Sequence, residues 1–317
     1  MSKKIRTIFI GTPDFGIPAL NALVASNDFE VIAVITQPDK KQGREQILTA
    51  PAMKVAAEKF GIPVFQPEKI NRFVDEIKKL NPELIIVAAY AQIISQTLLD
   101  IPKYGCINIH GSLLPKYRGA ACIQGAILNG EKETGITIMN MNAGLDTGDI
   151  IEKFSLPILD NDTTETLFDK LSQLGGEIIV PTLLKFIDNK IIPQKQNDAE
   201  ASYVKMIKKE DGKIDWQKSA EEIERLVRAM TSWPGAYTEL RINNEELRII
   251  KILKVEHTVI KSVGKKIGEV FLDDGRIAVQ CGQDALVILR LQMAGKKPLD
   301  SEEFLRGYKD IVGMIFV

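Results

Sequence analysis

An α/β protein in two parts is what this sequence predicts: a parallel sheet layered with helices over residues 1–187, a linker at 188–204, and a small β-barrel over 205–317. Three observations predict it. From the N-terminus to about residue 110, short apolar runs of strand length alternate with helical patterns, as βαβ units and a parallel sheet require. From residue 237 the pattern changes to period two in short segments broken by turn residues. Between these regions, residues 188–202 lose their periodicity and are rich in Pro, Gln, Asn and Asp, which places the domain boundary there.

The elements follow in order. Residues 5–10 read as a strand, 11–16 as a turn, and 17–26 as a helix with Ala19, Leu20 and Leu23 on one face. The glycines of that turn invite a dinucleotide reading, but Pro13 stands where the middle glycine would approach a pyrophosphate, and no GK[ST] follows. The turn is therefore read as part of the mouth of the sheet. Residues 29–36 are almost wholly apolar, as expected of a strand covered on both faces. Residues 37–50 are polar and unperiodic, 51–59 helical, 64–65 a short strand, 71–80 helical and 84–89 another buried strand. With 106–110 as the next strand, the alternation makes the sheet Rossmann-like.

A short apolar helix is expected around Cys122, then a strand through Ile136 and Ile138, and a further strand at 150–156. Asp162 and Glu165 have capping-box spacing for a helix running to 174, with helical character again at 178–187. Residues 221–230 form an amphipathic helix with Ile223, Leu226, Val227 and Met230 inward. Short strands follow at 248–255, 268–271, 277–280 and 285–291, with turns at Asn243-Asn244, Asp274-Gly275 and Gly282-Gln283. Such a set suggests an OB-like barrel, a scaffold that often binds nucleic acid.

Composition narrows the class of protein. With 45% hydrophobic and 26% charged residues the chain has ordinary globular composition. No early apolar run reaches signal-peptide or membrane length, so a cytoplasmic protein is expected, with no membrane partner. Cys106, Cys122 and Cys281 lack CxxC spacing, and with 2 histidines no zinc pattern is available, so neither metal nor disulfide is expected. Residues 201–317 carry 20 Lys and Arg against 18 Asp and Glu, leaving 21 against 24 for 1–200. The change from −3 to +2 points weakly to a polyanionic partner for the C-terminal part.

The chemistry concentrates between Cys106 and Asp149. In Cys106-Ile107-Asn108-Ile109-His110 the isoleucines alternate with an amide and an imidazole, so Asn108 and His110 share one face of a strand that ends at Gly111. The next strand delivers Asp146 on a loop bracketed by Gly144 and Gly148. Taken singly, the plainer reading of each residue is structural: a strand histidine satisfied by a carbonyl, a turn asparagine, a loop acid. Brought together from neighbouring strand ends, Asn108, His110 and Asp146 can stabilise an oxyanion, move a proton and orient the imidazole.

His110-Gly111-Ser112-Leu113-Leu114-Pro115, then Lys116-Tyr117-Arg118-Gly119 and Leu145-Asp146-Thr147-Gly148-Asp149, resembles the signature of the folate-dependent formyltransferases. The resemblance continues through Gly11-Thr12-Pro13-Asp14-Phe15, Thr36-Gln37-Pro38-Asp39, residues 208–216, Trp233-Pro234-Gly235-Ala236-Tyr237-Thr238 and Ala294-Gly295-Lys296-Lys297-Pro298-Leu299. It implies formyl transfer from 10-formyltetrahydrofolate, without metal, to the α-amino group of initiator methionyl-tRNA. Asn108, His110 and Asp146 fall on the family's catalytic positions, and Ser112, Leu113, Leu114 and Pro115 on its folate-binding signature. Lys40, Lys41, Arg44, Lys205, Lys208 and Lys209 are the expected tRNA contacts, and the enzyme is expected to act as a monomer. The chain departs from the family pattern at Glu45-Gln46-Ile47, where more lysine is usual, and at Cys122 and Gly125, which replace a Pro and an Arg. Two rivals are weighed against this reading. Against a sibling enzyme that formylates a sugar nucleotide or glycinamide ribotide stands the C-terminal part, since the glycinamide enzyme needs only one domain, and a non-catalytic RNA-binding protein would not need Asn108, His110 and Asp146 together.

Overall fold

The computed structural model describes residues 3–43, 45–242, 246–261 and 264–317. It divides into two compact units: 1–122 with 133–156 and 168–205, and 123–132 with 157–167 and 206–317.

The chain opens with β1 (Ile5–Gly11), α1 (Ile17–Ala25) and β2 (Phe29–Ile35), followed by the hairpin β3 (Lys40–Gln42) and β4 (Ile47–Thr49). Then come α2 (Ala52–Lys59), β5 (Val64–Phe65), α3 (Val74–Leu80), β6 (Leu84–Ala88), α4 (Gln96–Leu99) and β7 (Cys106–His110). Beyond them lie β8 (Arg118–Gly119), α5 (Cys122–Leu128), β9 (Glu133–Asn140), β10 (Asp149–Pro157), α6 (Thr164–Ile187) and β11 (Tyr203–Val204). Seven strands form the main sheet in the order β10-β9-β7-β6-β1-β2-β5. The apolar runs seen in the sequence are its centre: all five residues of β6 are buried, and Ile8, Ile10, Ile85 and Val87 pack with Ile77 of α3 and Leu98 of α4.

β5, β2, β1, β6 and β7 are parallel, as the alternation predicts, but β9 is antiparallel to β7, with His110 opposite Thr137 and Ile107 opposite Asn140. The reason lies in the connection. Residues 111–132 leave from the carboxyl end of β7 and bring the chain back to the same end, whereas a parallel partner needs a crossover to the opposite edge. Two further expectations are corrected. Residues 37–50 contain the hairpin β3–β4, and the two helical stretches around residue 176 are one 24-residue helix, α6. The break in pattern at Gly175-Gly176 is an approach site: a Cβ on Gly176 would lie 2.6 Å from Pro18 Cβ. At the start of α6 the reciprocal side-chain bonds run between Thr163 and Thr166, one residue beyond the Asp162–Glu165 pair expected from spacing.

Residues 188–204, expected as a linker, pack into the first unit. Ile150 and Gln194 exchange backbone bonds of 2.8 Å, and Tyr203 and Val204 of β11 pair in parallel with Arg118 and Gly119 of β8. Their attachment uses individual polar contacts rather than a repeating apolar face, which is why no periodicity announces it.

In the second unit, α7 (Ala220–Ala229) carries the full capping box of Ser219 and Glu222. β12 (Ala236–Ile242), β13 (Glu246–Val255), β14 (Val270–Asp273), β15 (Arg276–Gln280), β16 (Ala285–Met293) and β17 (Leu299–Asp300) follow, then α8 (Ser301–Gly307). The sheet is antiparallel in the order β12-β13-β16-β15-β14, with β17 on β16. Asp274 and Gly275 both have positive φ, the geometry a two-residue hairpin turn asks of an Asp-Gly pair. The expected turn at Asn243-Asn244 lies outside the described residues. The last residues close the barrel: Phe316 bridges Leu240 of β12, and Ile315 bridges Glu269 just before β14.

Candidate active site

β7 sets two polar side chains on one face of a buried strand. Asn108 and His110 are 8% and 7% exposed, accessible enough for a reactant while still shielded from bulk water. Asp146 reaches them differently from the expected meeting of two strand ends. Because β9 is antiparallel to β7, the β9–β10 loop starts beside Cys106, with Met141 N donating to Cys106 O at 2.8 Å. The loop then folds over the face of β7. There Asp146 Oδ1 lies 3.5 Å from Asn108 Nδ2, and Oδ2 lies 3.8 Å from His110 Nδ1. The second distance is that of an ion pair, too long for a hydrogen bond. The strongest hold on the carboxylate is the Gly119 backbone N–H, donating to Oδ2 at 2.8 Å.

The imidazole's other nitrogen decides its tautomer. His110 Nε2 lies 3.1 Å from Tyr117 O, and a carbonyl only accepts, so Nε2 carries the proton. Nδ1 is then the nitrogen left for proton transfer, and it faces Asp146. Cys106, at the start of the same strand, is no competing nucleophile: burial, with Asp100 adding to it, pushes its thiol up to about 12.

The 111–119 loop is braced from β9. Thr137 Oγ1 donates to Ser112 O at 2.6 Å and accepts from Leu114 N at 3.0 Å. Ser112 is fully buried with its hydroxyl donating to Lys116 O at 2.7 Å, so of the expected folate residues it shapes the loop. Leu114 is also buried, its carbonyl accepting from Lys153 Nζ at 3.3 Å, while Leu113 and Pro115 remain partly accessible. Beyond the loop, Arg118 is 1% exposed and holds Gln196, Asp198 and Tyr203. Burial alone would lower its pKa, but its bonds to Asp198 and Tyr203 hold it above the ordinary value. Gly119 has φ 107°, and a Cβ there would stand 2.3 Å from Val204 O, so only glycine lets β11 pass.

Further along the carboxyl edge of the sheet, Thr12 follows β1, Thr36 follows β2 and Tyr90 lies just past β6. Their hydroxyls are buried without a protein partner, and burial pushes the Tyr90 phenol up to about 12. Hydrogen-bonding capacity left unspent at this edge is what an open α/β sheet offers a ligand.

The expected RNA contacts are divided between the two units. Lys40 and Lys41 are exposed on β3, Lys205 ends the first unit, and Lys208 and Lys209 stand exposed early in the second. Arg44 lies outside the described residues. Among the described residues no group of three or more His, Cys, Asp or Glu is gathered, and no helix is long and apolar enough to cross a membrane. Sequence reasoning missed Thr137 and Gln196. The first had a signal, a threonine between Ile136 and Ile138 of a buried strand, whereas the second sits in an unpatterned stretch.

Known proteins resemble this chain through both of its units. Residues 3–183 match the Formyl transferase family and 206–309 the Formyl transferase C-terminal domain. A methionyl-tRNA formyltransferase of Citrifermentans bemidjiense is 48% identical over 309 residues, spanning 96% of this chain and 94% of that protein. The enzyme of that name from Bacillus subtilis is 43% identical over 305 residues, 95% of this chain and 94% of its own length. Among solved structures, an N-formyltransferase from Helicobacter canadensis in complex with folinic acid and dTDP-3-aminofucose shares the fold with a TM-score of 0.67 at 22% identity, covering 91% of this chain and 99% of that one.

Proposed function

This chain belongs to the formyltransferase family, and from that premise we propose that it moves the formyl group of 10-formyltetrahydrofolate to the α-amino group of methionine on initiator tRNA. The observation that carries the choice of acceptor is identity over both units: the methionyl-tRNA formyltransferases of Citrifermentans bemidjiense and Bacillus subtilis are 48% and 43% identical over 96% and 95% of this chain, whereas the N-formyltransferase solved with dTDP-3-aminofucose aligns over 91% of it at 22%. The acceptor makes this a cytoplasmic enzyme of translation initiation. All the site's side chains come from one unit of one chain, which suits a monomer.

The donor is a reactant consumed in each turnover, and the residues present fit it. The transferred carbon needs hydrogen-bond donors beside it and a proton acceptor near the amine, and the pterin's polar edge needs partners that the protein has left unspent. Asn108 Nδ2, His110 Nδ1 and the hydroxyls of Thr12, Thr36 and Tyr90 are of those kinds. Leu113 and Pro115 offer apolar contact at the edge of the loop.

In the proposed chemistry the neutral amine attacks the formyl carbon, the carbonyl oxygen becomes an oxyanion, and the amine nitrogen loses a proton as the folate nitrogen departs. An α-amino group with a pKa of about 7.7–8.0 is partly neutral at pH 7, so the attack itself asks little of a base. Asn108 donates to the oxyanion. His110 takes the amine proton at Nδ1, because Nε2 is committed to Tyr117 O, and returns it to the folate nitrogen as that nitrogen departs, while Asp146 stands 3.8 Å away to balance the transient imidazolium. Lys40, Lys41 and Arg44 are assigned to the acceptor end of the tRNA, with Lys205, Lys208 and Lys209 along its backbone.

The test is formyl transfer from radiolabelled 10-formyltetrahydrofolate, with methionyl-tRNA compared against methionine amide and an amino sugar nucleotide. Transfer should be confined to methionyl-tRNA. Preferential labelling of either small amine would overturn the acceptor assignment.

A further inference from the structure

Asp146 is the member of the site least supported by its own backbone. It has φ 53°, in the left-handed region that non-glycine residues seldom adopt, and it sits on a loop between strands rather than on one. Its carboxylate is fixed by Gly119 N–H, but the loop around it is held from elsewhere. Gln196 Nε2 donates to Asp146 O at 2.8 Å and to Gly148 O at 2.7 Å. A carboxamide nitrogen has two hydrogens, and both are spent on the two carbonyls flanking this turn.

The other end of that carboxamide is equally committed. Gln196 Oε1 accepts from Arg118 Nε at 3.1 Å and from Nη2 at 2.9 Å. Arginine only donates and carbonyls only accept, so the partners fix which way the amide points. Arg118 is itself anchored by Asp198 Oδ1 and Tyr203 Oη, both at 2.7 Å, and it immediately precedes the Gly119 amide that grips the carboxylate. One buried guanidinium thus links both supports of Asp146, the peptide to its carboxylate and the amide to its backbone.

We propose that Gln196, oriented by Arg118, is a positioning residue that aims Asp146 at the imidazole of His110. The proposal rests on the reading of Asp146 as the carboxylate of formyl transfer. A purely structural tie would be redundant here. The segment is already docked by Tyr117 N to Ser202 Oγ at 2.9 Å, Arg118 N to Ser202 O at 2.8 Å and the pairing of β11 with β8. What Gln196 adds is the direction of two carbonyls next to the reacting carboxylate.

Gln196→Glu separates aim from attachment. It keeps an acceptor for Arg118 but turns a carboxylate oxygen toward the carbonyls of Asp146 and Gly148, where the native amide donated. Displacing a reacting group by even an ångström costs about 10²-fold in rate, so kcat for methionyl-tRNA should fall by about that factor, while KM for the folate donor stays within about threefold. The thermal midpoint should hold. Should that variant not fold, Gln196→Met, neutral and of similar length, carries the test with the same expectation. Asn197→Ala is the control, because among the described residues the Asn197 side chain bonds within its own turn, to Ala199 N and Glu200. It should loosen the segment without changing kcat. The proposal fails if Gln196→Glu keeps kcat within about threefold of the parent, or if Asn197→Ala loses as much kcat as the Gln196 variants do. A parent protein with no transfer to methionyl-tRNA would instead overturn the functional reading.

Discussion

Two late segments return to close structures that earlier parts of the chain have built, and they close them with different materials. In the second unit, residues 315–317 return to the barrel. Val317 and Glu239 exchange backbone bonds of 3.0 and 2.9 Å, and Phe316 sinks into the core against Trp216 with ring centroids 5.7 Å apart. In the first unit, residues 194–204 return to the site, and the principal contacts there are polar: Gln196 on the Asp146 loop, Ser202 on Tyr117, and Asp198 and Tyr203 on Arg118. The apolar closure removes area from water and has little regard for direction, so it stabilises a fold. Polar closure contributes less net energy per contact but fixes angles and atom identities, so it places chemistry.

The largest effect expected from this contrast is on stability. Phe316 is 2% exposed within the barrel core, so Phe316→Ala should destabilise the second unit by about 3–5 kcal/mol in denaturant unfolding. The donor's KM, set by the first unit, should hold at a temperature where both proteins are folded. A loss below about 1 kcal/mol would mean that the barrel does not depend on its C-terminal closure, and the comparison would break on that side.

The opposite signature is expected at Asn108. Asn108→Ala should lower kcat by about 10²–10³, about 3–4 kcal/mol of transition-state stabilisation, with little change in unfolding free energy. Steady-state kinetics alongside the same denaturant titration would read both. Unaltered turnover would remove Asn108 from the mechanism, and an equal loss of stability would make its role structural.

This division explains what the sequence made legible. β1, β2, β6 and β7 are visible because buried strands must be apolar, and β13 to β16 because their short apolar segments are set off by turn residues. Asn108 and His110 stand out for the same reason, as polar residues on a buried strand. Asp146 is picked out by its glycine-bracketed loop, but its route over the face of β7 depends on the antiparallel β9, which residues 111–132 do not announce. Gln196 was invisible: nothing in Pro193-Gln194-Lys195-Gln196-Asn197 distinguishes the glutamine that holds two carbonyls from its neighbours. A contact made by one side chain at a sequence distance of 50 leaves no periodic trace.

The smallest effect is expected where neither kind of closure operates. The hairpin β3–β4 is exposed along most of its length, with Ile47 and Leu48 59% and 65% accessible, and Lys41 lies across from Leu48. If function required the tight polar support seen around Asp146, this hairpin would be inert. Phosphate recognition asks for less, since a flexible ammonium needs only to come near the nucleic acid and release a counterion. Lys41→Ala should therefore leave kcat and the donor's KM alone. It should raise KM for methionyl-tRNA modestly and make its log–log salt dependence shallower by about 0.7–0.9, the share of one phosphate contact. Measuring KM for both substrates between about 50 and 200 mM salt separates the cases, because the donor's KM should barely move over that range. An unchanged slope would assign Lys41 to solvent and leave the tRNA contacts to the other lysines. A fall in kcat with the slope intact would place the hairpin among the elements that aim the amine, and residues 40–49 would then belong with 194–204.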